Sequence, residues 1–201
     1  MSGWFEHIGV AVSLPIDNID TDQLIPARFM SRPRTTGYGE YLLYDLRQSD
    51  NSVNYIMNRI PAASILVSGR NFGSGSSREA AVYALVDAGI KAVFSTSFGE
   101  IFVANATNNG LLAATVTQSV HDSLLDQLGE SSEPVVVNLV ERTITINQQK
   151  NPFQLDDAKA TKLINGWDDI DLTKVHEDRI ARYRERRQHD ASWAWPCQSE
   201  G

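Results

Sequence analysis

The residues of this 201-residue chain best placed to do chemistry lie between positions 69 and 85, in GRNFGSGSSREAAVYAL. Two glycines and three serines fill the five positions from Gly73 to Ser77, and Arg78-Glu79 then opens an apolar helical run. Small hydroxyls at the mouth of a helix can cradle an anion, present a nucleophile, or cap the helix. A P-loop is excluded, because Arg78 stands where Gly-Lys-Ser/Thr is required. A dinucleotide fingerprint lacks its third glycine here, and no Gly-x-Ser-x-Gly elbow can be drawn through the stretch. Ser76-Ser77-Arg78-Glu79 reads as a capping box. Capping leaves the glycines and Arg78 unexplained, since a cation in the first turn opposes the helix dipole. The two agree if both point at one anion, which backbone amides at Gly73 and Gly75 could approach closely. The motif therefore reads as a carboxylate or phosphate site with a serine at its centre.

Two further segments carry polar clusters. DNIDTDQLIPARFM, residues 17–30, sets out Asp17, Asp20 and Asp22 in a spacing that suggests calcium. An EF-hand loop needs Gly at its sixth position and Glu at its twelfth. Counting from Asp17 those are Asp22 and Arg28, and from Asp20 they are Ile25 and Ser31, so calcium is rejected in favour of a turn cluster. In FVANATNNGLLA, residues 102–113, Asn108-Asn109-Gly110 reads as a helix stop. The histidines, His7, His121, His176 and His189, have no metal-ligand spacing, and His176 falls among Arg179, Arg182, Arg184, Arg186 and Arg187 on a solvated helix face.

The elements that must position these residues follow from hydrophobic pattern. His7–Leu14, Ala63–Ser68, Lys91–Ser95 and Leu111–Val116 read as strands. Helices are expected over about Ser77–Ala88, with Gly89 as its stop, and over Phe98–Thr107. Strand, helix, strand, helix, strand implies a mainly parallel sheet with right-handed crossovers. Further on, a helix over Val120–Leu128 has Ser119 as its cap and Gly129 as its stop. A hairpin pairs Pro134–Val140 with Thr143–Asn147. Helices follow over Asp157–Asn165, capped by Asp156 and ended by Gly166, and over Leu172–Arg187. Residues 17–61 lack clear periodicity, apart from short helical stretches at Leu42–Leu46 and Val53–Arg59. Arg28, Arg32 and Arg34 gather there between Pro26 and Gly37, in the kind of long irregular segment that tends to be functional or disordered. The expected organisation is one domain over residues 1–190, with a tail at 191–201 that holds Trp193 and Trp195.

Composition narrows the partners. With 18 Lys and Arg against 25 Asp and Glu the net charge is −7, which disfavours nucleic acid and anionic lipid as partners. The one cysteine, Cys197, excludes an internal disulfide framework and points to a reducing compartment. One thiolate also cannot by itself hold an iron–sulfur cluster or a zinc–thiolate site, so no metal is assigned to this chain. No run reaches transmembrane length and the N-terminus lacks a signal-peptide pattern. The expectation is a soluble, cytoplasmic protein.

Taken together, NIDTDQLIPARF (18–29), RTTGYGEYL (34–42), NFGSGSSRE (71–79), SFGEIFVANATNNGLL (97–112) and the DDIDLTKVHEDRIARYRERR region resemble the isopropylmalate isomerase small-subunit family. That family is the stand-alone counterpart of the swivelling C-terminal domain of aconitase. The resemblance implies an α/β swivel-domain fold, a mixed sheet with a mainly parallel core flanked by helices and a barrel-like β part. It implies a hydro-lyase that moves a hydroxyl between adjacent carbons of a small di- or tricarboxylate. By the same resemblance Ser76 is the alkoxide-type base, while Ser77 and Arg78 bind and orient a substrate carboxylate. The stretch from Met30 to Gly37 corresponds to the loop that meets the substrate side chain. Arg28, Arg32, Arg34 and Thr35 are its candidate contacts. Asp20, Thr21, Asp22, Gly73, Gly75 and Asn108 support the site. A [4Fe–4S] cluster is expected on a separate large subunit, without which this chain is inactive. Three positions depart from the family pattern: Ala80 stands where His is usual, Ser74 where Cys is frequent, and Ala113 where Pro is frequent. The alternatives are another malate-type acid, namely citramalate, homoaconitate or a specialised metabolite, or a non-catalytic binding module in which Ser76 only caps a helix.

Overall fold

The computed structural model describes residues 2–49, 63–75, 78–128 and 134–195. It divides the chain into two compact units, Met1–Trp167 and Asp168–Gly201.

The first unit is built on one sheet of seven strands in the order β4-β3-β2-β1-β5-β6-β7. The strands are β1 Glu6–Leu14, β2 Ala63–Ser68, β3 Ala92–Ser95, β4 Leu112–Thr115, β5 Pro134–Asn138, β6 Thr143–Ile146 and β7 Gln149–Pro152. β1 to β4 pair in parallel, and β1-β5-β6-β7 pair antiparallel. β2, β3 and β4 are short and nearly continuously buried, as strands covered on both faces must be. Register in β1 slips between Val10 and Ala11, where its parallel partner overlaps its antiparallel one.

Alternation along the strands gives the sheet two apolar faces. Val12, Leu14, Leu66 and Val93 face a core completed by α1 (Thr21–Leu24), residues 38–43 ahead of α2 (Tyr44–Ser49), α3 (Glu79–Asp87) and α4 (Glu100–Asn108). Ala11, Ile65, Val67, Phe94 and Ala114 face a second core with β5 and β6, α5 (Gln118–Leu128) and α6 (Asp157–Asn165). In α3 the buried residues Ala81, Val82, Ala84 and Leu85 form one stripe, which is what fixes the helix to the sheet. After β7 the chain returns to the opposite edge, where the Gln154 N–H donates to the Thr115 carbonyl (2.7 Å) in an antiparallel bridge. The two edges thus meet at one point around the second core.

Several expectations shift at their ends. The helix after the Gly-Ser motif begins at Glu79 with Arg78 at its N-cap and no side-chain cap bond from that residue; Ser76 and Ser77 of the expected box lie outside the described residues. The Glu79 carboxylate instead accepts from Asn109 Nδ2 (2.9 Å). α5 begins before Ser119, and Thr117 Oγ1 accepts the Val120 N–H (3.4 Å). The stretches expected at Val53–Arg59 and Gly129 lie outside the described residues. β7 was not foreseen: QKNP is polar and only Asn151 is buried. A turn with positive φ at both Asn147 and Gln148 places it, the geometry of a two-residue type I′ hairpin.

In the second unit the single helix expected over 172–187 is two, α7 (Asp169–Lys174) and α8 (Glu177–Asp190). Asp168 caps α7 by accepting from the Ile170 and Asp171 amides (2.8 and 2.9 Å). Neither helix has a buried residue, in keeping with a solvated basic face. Among the described residues no helix is long and apolar enough to cross a membrane.

Candidate active site

The parallel strands β1, β2 and β3 all end on the same edge of the sheet, and three loops leave from those ends. Carboxyl ends of parallel strands are where α/β sheets place ligands. The loops are stitched by main-chain hydrogen bonds. Asn18 N donates to Arg70 O (2.8 Å), Gly73 N to Ile19 O (2.7 Å) and Thr21 N to Ser74 O (3.0 Å). On the other side Phe72 N donates to Ser97 O (3.1 Å) and Gly99 N to Phe72 O (3.0 Å). The Gly-Ser loop is therefore the middle strip of three, held from both flanks before it reaches α3.

Side chains complete the stitching. Asp17 accepts from the Arg70 main-chain N and from its Nε, both at 2.9 Å. Asn71 sits at φ +58, a conformation Asn tolerates, and its amide donates to Asn18 Oδ1 (2.9 Å). Ser95 Oγ donates to Gly69 O (2.6 Å), and Ser97 Oγ accepts from Asn71 N (2.8 Å). Below the loop, buried His121 on α5 lies 2.8 Å through Nε2 from the carbonyl of Ser68. None of Asp17, Arg70, Asn71, Ser95, Ser97 or His121 was named from sequence as a supporting residue. The signal available was the asparagine-glycine density of RNFG and DN, which marks left-handed backbone.

The expected supporting residues take distinct roles. Asp20 caps α1 in a box with Gln23: Asp20 Oδ1 accepts the Gln23 amide (2.7 Å), and the Asp20 amide donates to Gln23 Oε1 (2.9 Å). Thr21 is buried. Asp22 forms an ion pair with Arg78, whose side chain is 25 % exposed. That pair joins the first loop to the N-cap of α3, and it places a guanidinium at the positive end of the helix as the sequence suggested. Gly73 and Gly75 both have positive φ, +69 and +88. Asn108 is turned toward α6, where its Oδ1 accepts from Lys162 Nζ (2.9 Å), and it is Asn109 that reaches Glu79 in the first turn of α3. Ser76 and Ser77 lie outside the described residues, between Gly75 and Arg78, which are both placed.

The three loop arginines are not equivalent. Arg28 makes a bidentate pair with Asp45 and lies over the Phe29 ring at 4.6 Å. That pairing holds the Asp45 carboxyl below the usual carboxylate range and raises the Arg28 guanidinium above its own. Arg34 Nη1 donates to Asp87 Oδ2 (2.5 Å). Among the described residues Arg32 has no acidic partner; its guanidinium is 5.2 Å from the Tyr41 ring, and Thr35 stands exposed nearby in the chain. Arg28 and Arg34 are thus paired within the fold, while Arg32 lies over an aromatic ring.

Among the described residues no three His, Cys, Asp or Glu side chains gather to hold an ion, and the chain has one cysteine. Three thiolates for an iron–sulfur cluster cannot come from this chain. What the loops can do is bind a small anion at a cationic helix start.

Known proteins agree with this frame. The family model of the aconitase C-terminal domain matches residues 1–119. The 3-isopropylmalate dehydratase small subunit of Shouchella clausii is 42% identical over 186 residues, covering 90% of this chain and 94% of that one. That of Buchnera aphidicola from Acyrthosiphon pisum is 40% identical over 191 residues, covering 90% and 91%. The crystal structure of a 3-isopropylmalate dehydratase from Methanocaldococcus jannaschii superposes with a TM-score of 0.67 at 23% identity, over 89% of this chain and 99% of that one, which shows the shared fold. With a mixed sheet whose parallel strands end in loops stitched around residues 70–74, this chain belongs to the aconitase C-terminal domain family, as a homologue of 3-isopropylmalate dehydratase small subunits.

Proposed function

We propose that the chain is the small subunit of a 3-isopropylmalate dehydratase, interconverting 2-isopropylmalate and 3-isopropylmalate by dehydration and rehydration in leucine biosynthesis. It acts in the cytoplasm in a heteromeric complex with a large subunit that carries the [4Fe–4S] cluster. The observation that carries this reading is the Arg78–Asp22 pair at the start of α3, immediately after the two serines. The cluster, held by the large subunit, supplies the Lewis acid for the departing hydroxyl.

This chain's share is proton transfer and carboxylate binding. Ser76 Oγ takes the proton from the carbon beside a carboxylate, and the proton rests on that oxygen until rehydration returns it. The amides at the α3 N-terminus and the Arg78 guanidinium lower the cost of the negative oxygen. The same positive end stabilises the charge that spreads into the substrate carboxylate as the proton leaves. Arg78 has five N–H donors, so it can keep Asp22 and still receive a carboxylate alongside Ser77. Arg32 meets the substrate from the 28–36 arm.

Ala80 is the one observation that favours a second reading. It packs partly buried against the helix-side core, at the position where the resemblance read from the sequence implies a histidine. On that reading the acid is citramalate, homoaconitate or a specialised metabolite. The test is to reconstitute the chain with its large subunit and an anaerobically rebuilt cluster, and to follow alkene formation from each acid. Ser76→Ala is expected to lower kcat by about 10²- to 10⁴-fold. Turnover of isopropylmalate unchanged in Ser76→Ala would sink the base assignment. Turnover confined to another malate would favour the second reading, and a stable complex inert toward every malate would mean a binding module.

A further inference from the structure

We propose that Asp87 is a positioning residue, a latch at the C-terminal end of α3 that fixes the arm carrying Arg32. The inference rests on the reading that this arm faces the substrate.

One carboxylate oxygen does two things. Asp87 Oδ2 accepts from Arg34 Nη1 (2.5 Å) and from the main-chain N–H of Tyr38 (2.7 Å). The second bond matters more for geometry, because it pins backbone rather than a flexible side chain. From Tyr38 the constraint passes back along the arm: Tyr38 Oη donates to the carbonyl of Arg32 (2.9 Å). Asp87 therefore reaches Arg32 through a single residue that it holds at the main chain.

The surroundings remove the arm's other freedoms. The Arg34 guanidinium lies 4.4 Å from the Tyr83 ring and 5.8 Å from that of Tyr38, so it stacks between helix and arm. Pro33 precedes a 3-10 turn over Arg34–Thr36, and Thr36 Oγ1 donates to its carbonyl (2.8 Å). Gly39 backs onto the end of α3 so closely that a Cβ there would stand 2.6 Å from the Asp87 carbonyl carbon. α3 itself is a fixed support, with Ala84 and Leu85 fully buried one turn before the latch. The helix thus holds the loop that carries Asp22 at its N-terminal end, through Arg78, and the arm at its C-terminal end. The distance between the two substrate-facing elements is set by one rigid rod.

Two measurements test this. The first needs no substrate: limited trypsin digestion of the full chain, read at the Arg34–Thr35 bond. Asp87→Asn is expected to speed cleavage there about tenfold through local opening, while the global unfolding midpoint changes little. Unchanged cleavage would overturn the latch. The second uses the complex reconstituted with the large subunit. Asp87→Asn, and Tyr38→Phe, which cuts only the link to Arg32, are each expected to raise KM about three- to tenfold with kcat nearly unchanged. In an Arg32→Ala background Asp87→Asn should add nothing further to KM. An additive effect there would overturn action through Arg32. If Arg32→Ala alone leaves KM unaltered while Asp87→Asn still opens the Arg34–Thr35 bond, the substrate role of the arm has failed and the latch stands.

Discussion

At Gly73 the backbone turns with φ +69, and its α-carbon faces the Phe102 ring so closely that any Cβ would overlap it. The glycine was expected to let amides approach an anion; in the fold it first lets the loop cross over α4. Phe72 beside it packs edge-on to Phe102 and Phe98 (5.4 and 6.2 Å between centroids), so the loop is anchored by a buried aromatic next to its tightest turn. Gly73→Ala must shift that turn or the ring. It is expected to cost about 1–3 kcal/mol in urea denaturation and to lower turnover of the complex, since the serines follow within four residues. A variant as stable and as active as the parent would remove Gly73 from the site's support. Arg78 was legible from sequence because a cation at a helix start is electrostatically odd. Its partner Asp22 was legible only as one aspartate among three, because pairing depends on which loops the sheet brings together.

The elements that carry these residues were the most legible part of the chain. β2 was expected at Ala63–Ser68 and is found there, because a short β-branched run between breakers admits few other readings. Helix starts were less legible: α3 and α4 begin two residues late, and before α4 the Gly99 amide is taken by the Phe72 carbonyl, a loop contact absent from any local pattern. The N-terminal ends of β1 and β2, away from the site, carry a titrating contact. His7 Nε2 lies 2.7 Å from Ser64 Oγ, with Trp4 edge-on at 6.0 Å. Partial burial, and then the charge of Lys91, hold the His7 imidazole below its ordinary value of 6.5. The folded state therefore resists the proton that the unfolded chain takes up. Stability from this contact is complete above about 6.5 and is lost as pH falls through that value toward the folded one. His7→Gln keeps a partner for Ser64 and cannot titrate, so its unfolding midpoint should fall less steeply with acid. Parallel midpoint curves for parent and variant would rule the contact out as a source of pH dependence.

For the first unit as a whole, closure is what local pattern could least reveal. The parallel half is a run of buried strands, and the antiparallel half announces itself as a hairpin, but nothing in either says that the two outer edges meet. They meet through main-chain atoms, Gln154 N to Thr115 O, after a polar edge strand that periodicity passes over. Phe153 and Leu155 flank the bridge and are buried in the second core, while Gln154 points its side chain to solvent. The sheet is thus tied at one point beside that core, between Thr115 and Gln154. If the tie matters, it must be the amide and not the side chain that counts. Gln154→Ala should lie within about 0.5 kcal/mol of the parent, as an exposed substitution does. Gln154→Pro removes the donor and leaves the Thr115 carbonyl unpaired, which should cost about 1–3 kcal/mol. Amide exchange at Gln154 should be as slow as in β4, because both open only when the edges part. Equal stability of the two variants, with fast exchange at Gln154, would mean that the sheet is held by its cores alone and that the bridge is incidental.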